Sequence, residues 1–375
     1  MNFQINEVKT KKDKMRFIKS QWSFYENDKN FVPPLISDRK KILDTENNPF
    51  YKHTKLKLFL AESNGTILGR IAGIINENHN KTHNDKLGFW GFFECIDNQD
   101  VANALFDSVA KWLKENGMDS MRGPENPSMN DDIGLLIDGF DSSPVLMMTY
   151  NPEYYIKLVE NYGFIKSKDL YAYFLESHSY QTDKIVRMQD IIKKKHNITI
   201  RQVNLKNKKK LWEDVKTLKQ IYNSAWVPNW GFVKWTDEEF DFIVKDLKMI
   251  ADPETAIIAE INGQVAGFAL ALPDMNYCFK FNKKGGDIGA LWHMMTKKKD
   301  IKLTRIIALG VLPEYQKTGI DAVLYYEIGV RGSKKGRIYG EASWILEDNE
   351  MMNRGLTTTM DARIYKTYRL YDKNI

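Results

Sequence analysis

Cysteine is nearly absent. Cys95 and Cys278 are the only two in 375 residues, far apart and in apolar surroundings. Their number and spacing exclude a disulfide framework and a thiolate metal site. No apolar run approaches the roughly 20 residues that a spanning helix needs. Residues 1–8 alternate like a strand and lack the pattern of a secretory leader. These readings lead us to expect a cytoplasmic protein without a metal. Peripheral contact with the inner face of a membrane stays open.

The chain does contain what a large core needs. It is 43% hydrophobic and 28% charged, with 19 Phe, 18 Tyr and 9 Trp. Its length suits two domains, and its aromatics suit large interiors and apolar ligand slots. The net charge is +6, from 55 basic and 49 acidic side chains. A mildly basic balance is compatible with an anionic partner, but dispersed lysines serve solubility equally well. The dispersal argues against nucleic acid.

A repeat organises the sequence. Ala61-Glu-Ser-Asn-Gly-Thr-Ile-Leu-Gly69 returns as Ala259-Glu-Ile-Asn-Gly-Gln-Val-Ala-Gly267. Asn64-Gly65 and Asn262-Gly263 predict two-residue hairpin turns. Gly69 and Gly267 predict a bulge or a close approach of backbone. Opening strands are expected at 3–8 and 198–203, with Trp-bearing helices at 13–26 and 211–226. After each hairpin come a strand and a helix, at 87–96 and 100–116, then at 303–312 and 319–334. A further strand follows each, at 120–122 and 337–344. A repeat this long implies two homologous domains rather than a solenoid. They are read as 1–178 and 197–375, joined by a polar linker at 179–196.

The strand–turn–helix of residues 306–327 is the best pointer to chemistry. A helix N-terminus presents unpartnered N–H groups and a positive dipole end, which suit an anion. Its Gln316-Lys-Thr-Gly319-Ile-Asp321, set in this element order, resembles the acyl-CoA signature Gln/Arg-x-x-Gly-x-Gly/Ala of the GCN5-related N-acetyltransferase (GNAT) superfamily. Asp321 departs from the small residue expected last. The first copy resembles the family through Asn151 to Gly163-Phe164. At its own cradle it reads Ile96-Asp-Asn-Gln-Asp-Val-Ala102, with no glycine and two carboxylates that repel a pyrophosphate.

The resemblance implies an α/β (α+β) fold of two tandem GNAT-like domains, each a mixed, mostly antiparallel sheet flanked by helices. It implies an acyl-CoA-dependent N-acyltransferase, using acetyl-CoA or a longer acyl-CoA and a small-molecule or lipid amine. Cofactor contacts are expected from Leu309, Val311, Tyr315, Gln316, Lys317, Thr318, Gly319, Ile320 and Asn349. The family's usual Tyr acid falls near Leu356 and is missing. Tyr365 or Tyr368 are the substitutes considered. Glu341, Glu347 and His293 are candidate bases. Glu347 serves equally as part of a helix cap, and His293 as a structural histidine. Asn126, Ser128, Asn130 and Trp230 are candidate substrate contacts. The layout and aromatic loops also suit the long-chain chemistry of bacterial ceramide synthases. Two other readings remain: an aminoacyl-tRNA-dependent transferase of the Fem type, and a non-catalytic ligand-binding protein on a decayed acyltransferase fold.

Overall fold

The computed structural model describes residues 2–375. Fifteen strands occur among them: β1 Gln4–Glu7, β2 Thr54–Ser63, β3 Thr66–Asn76, β4 Leu87–Cys95, β5 Ser120–Gly123, β6 Glu125–Asn126, β7 Asp132–Ile133, β8 Leu135–Asp138, β9 Ile165–Glu176, β10 Ile198–Gln202, β11 Ala256–Ile261, β12 Gln264–Pro273, β13 Leu303–Val311, β14 Tyr339–Leu346 and β15 Arg363–Asn374. The chain forms two compact units.

In the first unit the order β1-β2-β3-β4-β5 is continued by the last residues of β15. Every pairing of that series is antiparallel except β4–β5. The second unit runs β10-β11-β12-β13-β14-β9, and β13–β14 is again parallel. Both units are therefore mixed, largely antiparallel GNAT-like sheets flanked by helices.

The repeated hairpin dictates its own geometry. Asn64 and Asn262 have φ of 49° and 51°, and Gly65 and Gly263 have 82° and 78°. These left-handed pairs match the twist of the flanking strands. Each hairpin also carries a register shift at the same place, Ala61/Glu62 and Ala259/Glu260. Gly69 and Gly267 lie opposite, where a Cβ would come within 2.9 Å and 2.8 Å of a backbone oxygen.

The helix Gln99–Glu115 shows why the first unit holds together. Asn98 caps it, accepting from Val101 N, and it buries Val101, Leu105, Phe106, Val109 and Leu113. Those positions recur on one face and pack with Trp90, Phe93 and Phe164. Full burial of one such side chain stabilises by about 1.5–3 kcal/mol. The single helix expected at 13–26 is instead two, Lys11–Lys19 and Gln21–Phe24. Ser20 sits at the break and its Oγ donates to the carbonyl of Phe17 at 2.9 Å. Such side-chain bonds compete with the helix ladder.

The compact units cut the chain differently from the repeat. The first also takes Cys278–Thr296 and Lys366–Ile375. Backbone bonding explains both additions. Residues 371–374 of β15 pair with β5, and Ile36 N donates to Gly285 O at 2.9 Å. Residues 179–196, expected as a linker, include the helix Asp183–His196, which belongs to the second unit.

Candidate active site

The second unit has an open ladder. β13 and β14 pair over four residues only, from Leu303 with Tyr339 to Ile306 with Ala342. β13 then runs five residues further and β14 four. Beyond Ile306 the β14-facing edge of β13 has no strand partner among the described residues. Backbone N–H and C=O groups on such an edge need another partner.

Beside that opening the chain turns into the helix Ile320–Lys334. Lys317 and Gly319 both take positive φ, 64° and 84°. Gly319 occupies the N-cap and no side chain caps the helix. Asn98, Thr182, Asn207 and Thr236 do cap the other long helices. The turn is braced instead by Thr318 Oγ1 donating to Tyr315 O at 2.7 Å and by Tyr315 N donating to Leu312 O at 2.9 Å. Gln316 and Lys317 are exposed. Leu309 and Val311 pack towards the helix with Ile320, so any contact they make with a cofactor arm in the opening comes from backbone.

Strand alternation sets the other side. Thr304 and Ile306 face the helix, in a cleft they share with Ile328 and Gly332. Arg305 and Glu341 are register partners and point to the opposite face. Both are buried, at 5% and 1% exposure. Arg305 Nε lies 4.0 Å from Glu341 and donates to Ser343 Oγ at 2.9 Å. The Ser343 and Tyr365 hydroxyls both donate to the Glu341 carboxylate. The structure thus brings Glu341 and Tyr365 together. Arg305 and Ser343 were missed, although an arginine inside an apolar strand signals a buried counter-charge.

The remaining candidates lie elsewhere. Asn349 caps the helix Glu350–Arg354, accepting from Met352 N at 3.2 Å. Glu347 follows β14, and its carbonyl accepts from Asn353 Nδ2. Leu356 is buried in core, and Tyr368 is 1% exposed. His293 belongs to the first unit, its ring 5.9 Å from that of Phe281. Trp230 lies in the second unit, shortly after Trp226 in the chain, whose ring stacks on that of Tyr222 with centroids 4.3 Å apart. Trp226 covers Gly310 of β13, where a Cβ would meet its ring at 2.5 Å.

The first unit is closed where the second is open. β4–β5 also pairs briefly, from Leu87 to Phe89. Here, however, β6 fills the space, and a Cβ on Gly91 would lie 1.7 Å from Glu125 O. Phe92 N donates to Asn126 Oδ1 at 2.5 Å. Cys95 N donates to Tyr155 Oη at 2.9 Å, and Tyr154 Oη donates to Cys95 O at 2.7 Å. Ser128 Oγ donates to Asp131 at 2.6 Å and accepts from Asn130 N. Asn126, Ser128 and Asn130 therefore knit this filled segment.

Glu125 within it is 2% exposed, and its Oε1 has no hydrogen-bond partner among the described residues. Burial pushes its carboxyl up to about 8, against the charge of Arg122. The native state then keeps a proton that the unfolded chain loses in the ordinary carboxylate range. Its contribution to stability is full below that range and is lost as pH rises towards 8. Glu125→Gln is expected to raise stability at pH 8 by on the order of 3 kcal/mol and to be near neutral at pH 5. Thermal melts at the two pH values check this. An equal effect at both would contradict it.

Among the described residues no group of His, Cys, Asp or Glu is placed to hold a metal ion, and no helix is long and apolar enough to cross a membrane. No family model matches the chain. It is similar to Protein YghO of Escherichia coli (strain K12), 32% identical over 378 residues that cover 97% of this chain and 94% of that protein. It is also similar to a bacterial ceramide synthase of Caulobacter vibrioides (strain NA1000 / CB15N), 31% identical over 382 residues covering 98% and 96%. A solved tandem GNAT protein from the clavulanic acid biosynthesis pathway superposes with a TM-score of 0.57 at 8% identity, covering 100% of this chain and 98% of that one. That likeness is one of fold.

Proposed function

This chain belongs to the family of Protein YghO and the bacterial ceramide synthase and has the fold of a tandem GNAT protein, and on that premise we propose that it transfers an acyl group from acyl-CoA to a long-chain amine. One observation carries the reading. An open β13–β14 edge lies next to an uncapped helix N-terminus in the second unit, while the matching groups of the first are paired internally.

In this reading the pyrophosphate lies at Gly319, where N–H groups and dipole favour anions. The pantetheine arm pairs with the β13 edge and passes between the strands to the Glu341 face. The amine nitrogen attacks the thioester carbonyl, a C–N bond forms, and the C–S bond breaks. The proton released from nitrogen moves through Tyr365 to Glu341, and the same relay returns it to the departing sulfur. Arg305 lies 4.0 Å from that buried carboxylate and offsets its charge.

The relative named a ceramide synthase, similar over nearly its whole length, supports a long-chain substrate.

Calorimetry with CoA and a series of acyl-CoAs tests the reading. Wild-type protein is expected to bind, and affinity is expected to rise with chain length. A Val at 319 needs an unfavourable φ and pushes on Ile192, whose Cδ1 lies 2.9 Å from the Cβ position. Gly319→Val is therefore expected to weaken binding by about 30-fold, or ~2 kcal/mol. Failure of the wild-type protein to bind any acyl-CoA would sink the proposal.

A further inference from the structure

Between β12 and β13 the chain carries a helix, Asp287–Lys297, that is amphipathic the wrong way round. Ile288, Leu291, Trp292 and Met295 stand at i, i+3, i+4 and i+7 and so share one face. They are 88%, 58%, 64% and 76% exposed. The one buried residue of the helix is Ala290, on the other side of the wheel. A helix of a soluble domain normally turns its large apolar side chains to the core. A contiguous exposed stripe of this kind marks an interaction surface.

The orientation is built in. Trp22 Nε1 donates to Lys283 O at 2.8 Å, Asn282 Nδ2 to Gly286 O at 2.9 Å, and Ile36 N to Gly285 O at 2.9 Å. Ser37 Oγ donates to the Asp287 carboxylate. These bonds belong to the first unit and hold the segment with its stripe outward. Phe281, 44% exposed, lies just before the helix.

Charge selects the occupant. Along the chain, exposed Lys283 and Lys284 precede the helix and exposed Lys298, Lys299 and Lys302 follow it, while the acids of the same stretch are Asp287 and Asp300. We propose that this helix docks on an anionic lipid bilayer. The stripe enters the headgroup–acyl boundary, Trp292 sits at the interface, and the lysines meet lipid phosphates. A second copy set face to face would bring lysines against lysines, which repel. The proposal does not depend on the acyl-transfer reading.

Flotation of the full chain with vesicles tests it, comparing phosphatidylcholine alone with phosphatidylcholine plus phosphatidylglycerol. Wild-type protein is expected to float with the anionic vesicles and to release at high salt. The combined variant Ile288→Ser, Trp292→Ser and Met295→Ser is expected to bind at least about tenfold more weakly with an unchanged melting transition. Lys298→Glu with Lys299→Glu is expected to lower binding to anionic vesicles. Equal binding by wild type and the serine variant, no binding by wild type, or equal binding to both vesicle types would each overturn the proposal. So would a lipid-free dimer, seen by ultracentrifugation, that the serine variant dissolves.

Discussion

Glu341→Gln is expected to lower the rate of N-acylation about a thousandfold while leaving acyl-CoA affinity within about threefold. Gln keeps the shape of the side chain but cannot take the amine's proton. It still meets the Tyr365 and Ser343 hydroxyls, so the local hydrogen bonds persist in altered form. Affinity is expected to hold because the cradle at Gly319 lies on the other face of the sheet. The substitution also removes the negative partner of a buried arginine 4.0 Å away. Stability is therefore expected to fall by about 2–3 kcal/mol. Rates are to be measured well below the melting transition, so that folding loss does not pose as chemical loss.

Tyr365→Phe separates the roles further. It leaves the Glu341–Arg305 pair in place and is expected to cost about 10- to 100-fold in rate with little change in stability. If both variants kept wild-type rates once corrected for the folded fraction, Glu341 would be structural. The acid–base assignment would then move elsewhere.

The largest stability effect is expected from Gly91→Ala. The new methyl would lie 1.7 Å from Glu125 O and 2.8 Å from its carbonyl carbon. Both atoms are backbone, so no side chain can swing aside. β6 must move, and with it go the Asn126 bond to Phe92 N and the pairing of Glu125 with Ile133. The cost is expected to be at least about 3 kcal/mol. The first unit's melting temperature should then drop by about 6–12 °C. An unchanged melt would show that β6 is not seated as described. Four residues into the matching strand of the second unit stands Ile307, half-buried. That contrast separates a filled sheet from an open one.

Local chemistry is where the sequence was most legible. The Asn-Gly turns, the paired glycines and the strand–turn–helix at Gly319 each depend on φ preference or apolar period, which act over a few residues. They could be read without neighbours. Glu341 stood out as an acid in a strand, and its separation from Tyr365 by 24 positions hid their contact. Arg305 was passed over because its partner, on the parallel neighbour β14, lies 36 residues on. The single helix expected at 13–26 is broken at Ser20, whose hydroxyl bonds to the carbonyl of Phe17, a competition that apolar period does not show.

By itself the sequence determined the duplication, the element order of each copy and the turn that opens the helix at Gly319. Their causes are backbone geometry and hydrophobic period, both local. Only the tertiary structure decided which copy is open. Two carboxylates hinted that the first lacks a cradle, but they could not show Tyr154, Tyr155 and Asn126 occupying its strand edge. Nor could the sequence say where the stripe on helix Asp287–Lys297 points. An i, i+3, i+4, i+7 pattern is the same for a face turned to a core and a face turned to solvent, and the bonds from Trp22 and Ile36 settle which way it turns.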